Sequence, residues 1–318
     1  MRRKLAIALA SVVLALAGCN SGDGDASGAN GAGSSDPYRV VFMGGLGSFV
    51  SGPANAQLNG LKAAAAKLNK SGGILGRPIE IEVIDTGADA TKATSLLVER
   101  LAKDPKPDFV LPGTTSGETL ALLPILTRHK ILAIAESASQ DINNPEAYPY
   151  GFSVSVGTTL PATALIEAVK KQGYKKLAII GSNDAFGTNG VKAASDAAAA
   201  AGLAYESTTF PADALDVTPQ LERLRASSPD VLIYTANGTQ VSSLLRSRQK
   251  LGWDIPTIAD LATGSGDIWL YAGGEPARGT QALVYPITPY VAPEDRPQPV
   301  KDLYAELAEL GVPPYTSG

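Results

Sequence analysis

The sequence predicts an α/β protein built from two doubly wound α/β lobes. Short apolar runs of strand length alternate with amphipathic stretches of helix length from Arg39 onward. The alternation restarts after an Asn-, Pro- and Tyr-rich loop at Asn143–Tyr150, which gives two successive series. Such alternation is typical of parallel sheets with helices on both faces. The expected folded part, residues 37–318, is long enough for two domains of ordinary size.

The first series predicts four strands and three helices. Pro124 should kink the last of these helices or shift its register. The strands are expected at Arg39–Met43, Ile79–Ile84, Asp108–Leu111 and Ile131–Ala135, and the helices at Asn55–Leu68, Ala88–Ala102 and Ser116–Arg128.

The second series predicts strands at Gly151–Val156, Leu177–Gly181, Ala204–Phe210, Val231–Thr235 and Ile255–Ala259, with helices at Thr159–Gln172, Thr188–Ala201, Thr218–Ser227 and Thr239–Leu251. A strand at Gln281–Pro286, a proline-rich crossing and a helix at Val300–Leu310 follow, which indicates a return to the first lobe. We therefore expect lobe 1 to comprise residues 37–154 and 285–318, and lobe 2 to comprise residues 155–284.

The amino terminus has the pattern of an export signal. Three basic residues follow Met1, an apolar run continues from Leu5 to Ala17, and Gly18 precedes Cys19. The run is too short to span a bilayer as a mature helix, and the pattern resembles a bacterial lipoprotein signal at residues 1–18, in which Cys19 carries the lipid. Residues 19–36 lack any large apolar side chain and predict a flexible tether.

Composition excludes several functions. Removal of residues 1–18 takes away three of the 27 basic side chains and leaves 24 against 31 acidic ones, without a basic stripe for nucleic acid. One histidine, His129, and one cysteine leave no Ser-His-Asp set, no Cys-His pair and no zinc site. His129 falls at a predicted helix end, a common structural position. We expect neither a metal nor a cofactor.

The glycine-rich turn from Gly44 does not match a nucleotide-binding motif. Val50 occupies the place of the third glycine of a dinucleotide fingerprint, and no phosphate-binding loop motif follows elsewhere. Acidic residues are scattered without a spacing that singles out a catalytic pair. An enzyme of the α/β class is therefore disfavoured, as is a purely structural surface protein.

A strand–helix–strand unit at Asp108–Ser139 carries two small polar clusters. Thr115 and Glu118 fit a capping box, and free N–H groups at a helix N-terminus favour negative charge. The second cluster, Ser137–Ser139, follows the next strand, so both should emerge at one sheet edge. The two polar clusters together suit the carboxylate of a ligand, although ordinary helix caps and turns would give the same pattern.

Four stretches of the chain resemble the leucine/isoleucine/valine-binding type of ABC-transporter solute receptors. In order, they are Asn59–Gly60 with Ser71–Pro78, Pro112–Ser116 with Ile131–Ile134, Lys175–Ile180 with Asp184–Gly187, and Pro229–Tyr234. The resemblance implies two lobes joined by crossing strands, with the ligand held in a closing cleft. It also implies a further return to lobe 2 after the last predicted helix. The chain stops at Gly318, so we expect it to be a fragment of the family fold.

The resemblance implies ligand contacts from both lobes. Pro53 stands where several members of the family have an aromatic residue. Phe49 is the alternative residue for this apolar wall of the ligand site. An acidic partner for an α-ammonium would align at Leu261, so Asp260 either faces the cleft or is a cap or turn residue. Phe186 belongs either to the cleft or to the core of lobe 2. The expected positions are Phe49, Pro53, Thr114, Thr115, Ser116, Ala138, Ser139, Phe186, Asn237 and Asp260.

The sequence thus predicts a monomeric, lipid-anchored receptor outside the cytoplasm that delivers a small polar ligand to an ABC permease. A branched-chain or related amino acid is the leading ligand, with amides, urea-like compounds and small organic acids as alternatives. A sensor that reports its ligand to a membrane partner would use the same lobes.

Overall fold

The computed structural model describes residues 36–261, 274–283 and 291–312. Its strands are β1 Tyr38–Gly44, β2 Ile79–Asp85, β3 Phe109–Pro112, β4 Leu132–Ala135, β5 Gly151–Ser153, β6 Lys176–Ser182, β7 Ala204–Phe210, β8 Val231–Thr235, β9 Thr257–Ala259 and β10 Thr280–Ala282. Its α-helices are α1 Ser51–Lys70, α2 Ala90–Leu101, α3 Ser116–His129, α4 Thr159–Lys171, α5 Ala185–Ala200, α6 Thr218–Ala226, α7 Thr239–Lys250, α8 Gly274–Ala277 and α9 Gln298–Glu309. Single 3₁₀ turns lie at Gln140–Ile142 and Pro293–Asp295.

The strands form two five-stranded sheets with the same order. The first runs β2-β1-β3-β4-β5 and the second β7-β6-β8-β9-β10, and every pairing is parallel. In each sheet the strand order reverses beside the first strand, where doubly wound folds open a crevice at the carboxyl edge. The predicted pair of doubly wound lobes is confirmed.

Each lobe packs apolar side chains on both faces of its central strand. In β1, Val41 and Met43 join the core under α2 and α3, while Val40 packs with Ala65 of α1. In β6, alternate residues divide in the same way between the α6–α7 face and the α4–α5 face. Because successive side chains of a strand point to opposite faces, a continuous apolar run is what a doubly covered strand requires.

Several element boundaries differ from the prediction. α1 begins at Ser51 and not Asn55, with Pro53 in a first turn whose N–H groups need no intrahelical acceptor. α5 begins at Ala185 and not Thr188, because the Asp184 carboxylate accepts from Gly187 N at 2.8 Å and caps the helix. The strand expected at Ile255 begins only at Thr257, after Pro256, which has no N–H to donate. Despite Pro124, α3 is one continuous helix.

The last described helix lies against the first lobe. Lys67 of α1 faces Asp302 of α9 at 3.5 Å, and Lys70 pairs with Glu306 at 3.1 Å and with Glu309 at 2.6 Å. These contacts join the last described helix to α1.

Some sequence predictions fall on residues that the structure does not describe. The export signal, Cys19 and nearly all of the tether lie outside the described residues, as does the chain from Val284 to Tyr290. Within the described ranges, no helix combines the length and apolarity needed to cross a membrane.

Candidate functional site

A cavity of about 180 Å³ lies between the two lobes. The loops after β3 and β4 line it from lobe 1, and the chain after β6, β8 and β9 lines it from lobe 2. Both lobes therefore present the carboxyl ends of their strands to one space, as expected for a ligand site in this topology. The volume is comparable to that of cavities of roughly 150 Å³ that accept a benzene-sized molecule.

The loop before α3 is fixed by the capping box that the sequence predicted. Thr115 Oγ1 accepts from Glu118 N at 3.2 Å, and the Glu118 carboxylate accepts from Thr115 N at 3.1 Å. The same carboxylate accepts from Thr114 N at 3.2 Å and bonds to the hydroxyl of Thr86. Glu118 is fully buried. A carboxylate of the protein itself thus occupies the start of this helix.

This arrangement changes which donors face the cavity. The Thr115 N–H donates to Glu118, as the predicted capping box requires, and the Thr114 N–H donates to the same carboxylate. The next two, on Ser116 and Gly117, find no acceptor in the part of the chain that the structure describes. Thr114 and Ser116 both line the cavity, and Ser116 Oγ accepts from Ser139 N at 3.2 Å.

The second polar cluster is divided between cavity and scaffold. Ser137 and Ala138 line the cavity, and Ser137 Oγ lies 2.7 Å from Thr119 Oγ1. Ser139 is buried and caps the 3₁₀ turn, because its hydroxyl accepts from Asp141 N at 3.3 Å. Of the five positions expected in these two loops, the structure brings Thr114, Ser116 and Ala138 to the cavity and places Thr115 and Ser139 in adjoining caps.

Lobe 2 brings its three expected residues to the cavity. Phe186 lies in the first turn of α5, outside the two apolar cores of its lobe, and Asn237 precedes α7. Asp260 follows β9, lines the cavity and is 9% exposed. Phe186 and Asp260 thus both lie at the cavity, and Asp260 also directly precedes a 3₁₀ residue, Leu261.

A buried amide holds these lobe 2 loops together. Gln240, near the start of α7, accepts from Asn237 N at 3.0 Å and donates to the Asp184 carboxylate at 3.0 Å. It also donates to the carbonyl of Ala212 at 3.2 Å, in the loop after β7. Because Asp184 caps α5, one side chain links the segments that carry Phe186 and Asn237.

Phe49 and Pro53 lie away from the cavity. Pro53 is in the first turn of α1, and Phe49 lines a separate cavity with residues 212–215 and side chains of α7. The carbonyl of Phe49 lies 1.9 Å from where a Cβ on Gly238 would stand, so the lobes are in close contact here. A second contact between the lobes joins Asn189 Nδ2 and Asp141 Oδ2 at 3.3 Å.

Glu136 is a cavity residue that sequence reasoning missed. Its side chain is exposed to the cavity, but protein atoms closely surround the carboxyl and this burial raises its pKa, against a hydrogen bond from Gln57. The sequence signal for Glu136 is its position directly after β4, at the sheet edge where the Ser137–Ser139 cluster was predicted to emerge. Among the described lining residues, the titratable side chains are Glu136 and Asp260, and none is Lys, Arg or His. The described ranges hold no group of three potential metal ligands.

Comparisons with known proteins place this geometry in a family. A family model described as "Periplasmic binding protein" matches residues 37–312. No curated protein sequence matches the chain significantly.

Three solved structures illustrate the likeness of fold. An extracellular ligand-binding receptor from Rhodopseudomonas palustris HaA2 has 20% identity and a TM-score of 0.77, covering 88% of this chain and 77% of its own. The substrate-binding protein LivJ of a branched-chain amino acid transporter from Streptococcus pneumoniae, in complex with isoleucine, has 19% identity, a TM-score of 0.75 and coverages of 88% and 79%. A fatty acid ABC transporter substrate-binding protein from Thermomonospora curvata has 18% identity, a TM-score of 0.68 and coverages of 77% and 63%.

Proposed function

Because the chain belongs to the periplasmic binding protein family, we propose that it is an extracytoplasmic receptor that captures a small polar ligand between its lobes and delivers it to an ABC permease. The observation that carries this proposal is the cavity between the lobes, whose walls come from the carboxyl edges of both sheets. A ligand that contacts both walls only when they are close together shifts the population toward the closed form.

The leading ligand class is an amino acid, branched-chain or related. In this proposal the α-ammonium group binds Asp260, and the carboxylate binds Ser116 and the N–H groups at the start of α3. Phe186 packs against the side chain, and Thr114, Ala138 and Asn237 complete the contacts. LivJ binds isoleucine, while the relative from T. curvata serves a fatty acid transporter, so the shared fold is compatible with different ligands.

The proposal includes the lipid anchor. Cys19 would carry the lipid, and residues 20–36 would tether the lobes near the permease in the membrane. Replacement of Cys19 by Ala should release the protein from the membrane fraction and reduce ligand uptake by cells. Retention of the Cys19→Ala protein in that fraction would contradict the anchor.

Thermal unfolding of the purified protein tests ligand binding directly. A ligand at about 100 times its dissociation constant should add about 2.7 kcal/mol to the free energy of unfolding. We expect one of a panel of amino acids, amides and small organic acids to do so. Ser116→Ala should weaken the effect, because it removes a hydroxyl that lines the cavity, and Ser95→Ala on exposed α2 should not.

The receptor proposal also predicts a change of shape. The active ligand should reduce the radius of gyration in small-angle scattering as the lobes close. Cooperative unfolding without any stabilising ligand in a broad panel, together with unchanged scattering, would contradict the proposed function.

A further inference from the structure

The cavity has an uneven distribution of charge. Two acidic side chains line it, Glu136 from lobe 1 and Asp260 from lobe 2, and no basic side chain lines it among the residues described. The two acids follow equivalent strands, the fourth of each sheet. Each wall of this space therefore carries one carboxyl group.

The start of α3 adds to this imbalance. The positive end of a helix usually favours an anion. Here the buried Glu118 carboxylate accepts from the N–H groups of Thr114 and Thr115, just before the helix, and places a negative charge at its start. At the start of α3, the N–H groups of Ser116 and Gly117 remain to compensate an anionic group of a ligand. The site therefore has less capacity for negative charge than its topology alone suggests.

A carboxylate that water solvates poorly is unfavourable unless a positive charge or hydrogen-bond donors compensate it. The Glu136 side chain is exposed to the cavity, but the surrounding protein raises its pKa, and among the described residues the Gln57 side chain donates to it. A ligand cation beside this carboxylate would compensate it. If the α-ammonium group binds Asp260, as proposed above, Glu136 faces a different part of the ligand.

We propose that the cavity accepts a ligand with net positive charge, of the class of basic amino acids and related diamines or amidines, and that Glu136 determines this specificity. The inference rests on the proposed function, since it names the ligand class of the same site. Asp260 binds one cationic group and Glu136 binds the second. Because the two acids belong to different lobes, a dication or a basic amino acid links the walls and favours closure.

Isothermal titration calorimetry of the purified protein tests this inference. The panel is L-lysine, L-ornithine, L-arginine and cadaverine, compared with L-leucine and L-isoleucine. At least one basic compound should bind about tenfold more tightly than either neutral amino acid. Glu136→Gln should weaken that binding by about tenfold, because it removes the second negative charge and keeps the size of the side chain.

Two further variants separate charge from structure. Glu146→Gln makes the same change of charge on an exposed loop that does not line the cavity, and it should leave the affinity unchanged. Glu136→Lys should abolish binding of the basic compounds while the protein still unfolds cooperatively, because the side chain faces open space in the cavity.

The outcomes distinguish this inference from the proposed function. If leucine or isoleucine binds, the basic compounds do not, and Glu136→Gln leaves the dissociation constant unchanged, the inference is wrong and the receptor proposal stands. If a basic compound binds equally well to wild type and Glu136→Gln, Glu136 has no part in specificity. If no compound binds, in this panel or the broader one, the proposed function is itself overturned.

Discussion

The two lobes share one strand order but stabilise their ligand-facing loops in different ways. In lobe 1, the carboxylate of Glu118 closes the loop before α3 and bonds to Thr86 in the loop after β2. In lobe 2, the amide of Gln240 bonds to Asn237 N before α7 and to Ala212 in the loop after β7. α3 and α7 thus each begin with a buried side chain that bonds to the loops after the second and third strands of its own sheet.

The difference lies in what each side chain can donate. A carboxylate only accepts, so Glu118 uses N–H and hydroxyl groups of its own lobe. An amide also donates, so Gln240 additionally binds the Asp184 carboxylate that caps α5. The Glu118 bonds of lobe 1 consequently stay within the loops after β2 and β3, whereas the uncharged Gln240 side chain of lobe 2 couples three loops, one of which carries Asp184.

The largest expected effect comes from Glu118→Ala in lobe 1. The substitution leaves Thr114 N, Thr115 N and the Thr86 hydroxyl without the acceptor that satisfies them. We expect the free energy of unfolding to fall by about 3 kcal/mol, measured by urea denaturation. Glu146→Ala, on an exposed loop, should change it little. Equal losses in the two variants would contradict the role given to Glu118.

Gln240→Ala should reduce stability less than Glu118→Ala does, but it should uncouple the three lobe 2 loops that Gln240 joins. The amide is buried but uncharged, so we expect a loss of about 2 kcal/mol by urea denaturation. Hydrogen exchange should rise together in the loops at Asp184, Ala212 and Asn237, because the variant removes their shared partner. The control is Gln249→Ala, exposed on the same helix. A rise at Asn237 alone would show that the three loops are not coupled.

Gly238→Ala tests the contact between the lobes. Gly238 has a φ of +49°, and a Cβ there would lie 1.9 Å from the Phe49 carbonyl. Gly252, at the far end of α7, has a φ of +57° and no atom within 4 Å of its Cβ position. Both variants strain the backbone. Gly238→Ala should lose about 1 kcal/mol more in urea denaturation, because it also clashes across the lobes.

Small-angle scattering of Gly238→Ala and Gly252→Ala provides a second test of the contact between the lobes. With a stabilising ligand present, Gly238→Ala should keep a larger radius of gyration than Gly252→Ala, because the lobes cannot approach as closely. Identical scattering of the two variants would show that the Phe49 contact does not limit closure.

The smallest expected effect is the pH dependence of Glu136→Gln in the ligand-free protein. The surrounding protein raises the pKa of Glu136 above its value in the unfolded chain, about 4.3. The free energy of unfolding of the wild type therefore falls as the pH rises from that value through the raised pKa, and that of the glutamine variant does not. The difference in Tm should be near zero at about pH 4 and should favour Glu136→Gln toward about pH 8. Asp260, the other titratable side chain lining the cavity, is present in both proteins. A difference independent of pH would contradict this account.

Sequence reasoning predicted the fold because the fold depends on local patterns. The apolar runs of β1 and β6 are typical of strands covered on both faces, and the Thr115–Glu118 spacing predicted a capping box that the structure confirms. Boundaries were missed where a cap was overlooked, as at Asp184, or where a proline removed a donor, as at Pro256.

The site was only partly accessible to the same reasoning. The sequence predicted the Thr115–Glu118 capping box, but it could not show that the same Glu118 carboxylate also bonds to Thr114 N and to Thr86, which is 32 residues earlier in the chain. The position of Phe49 depends on how closely lobe 1 approaches Gly238, which no local pattern encodes. Glu136 directly follows β4 at the same sheet edge, but a single glutamate after a strand is common at exposed turns, so the local pattern did not indicate a cavity residue.

The placement of one acid on each wall has a consequence for the empty receptor. Like charges on facing surfaces repel, so Glu136 and Asp260 together oppose approach of the lobes until a cation lies between them. Dissolved ions screen such repulsion, and at ordinary ionic strength little of it remains between exposed charges more than roughly 8–10 Å apart. We therefore expect the resting opening of the cleft to depend partly on the ionic strength of the surrounding medium, with the lobes farther apart at low salt and closer together at high salt.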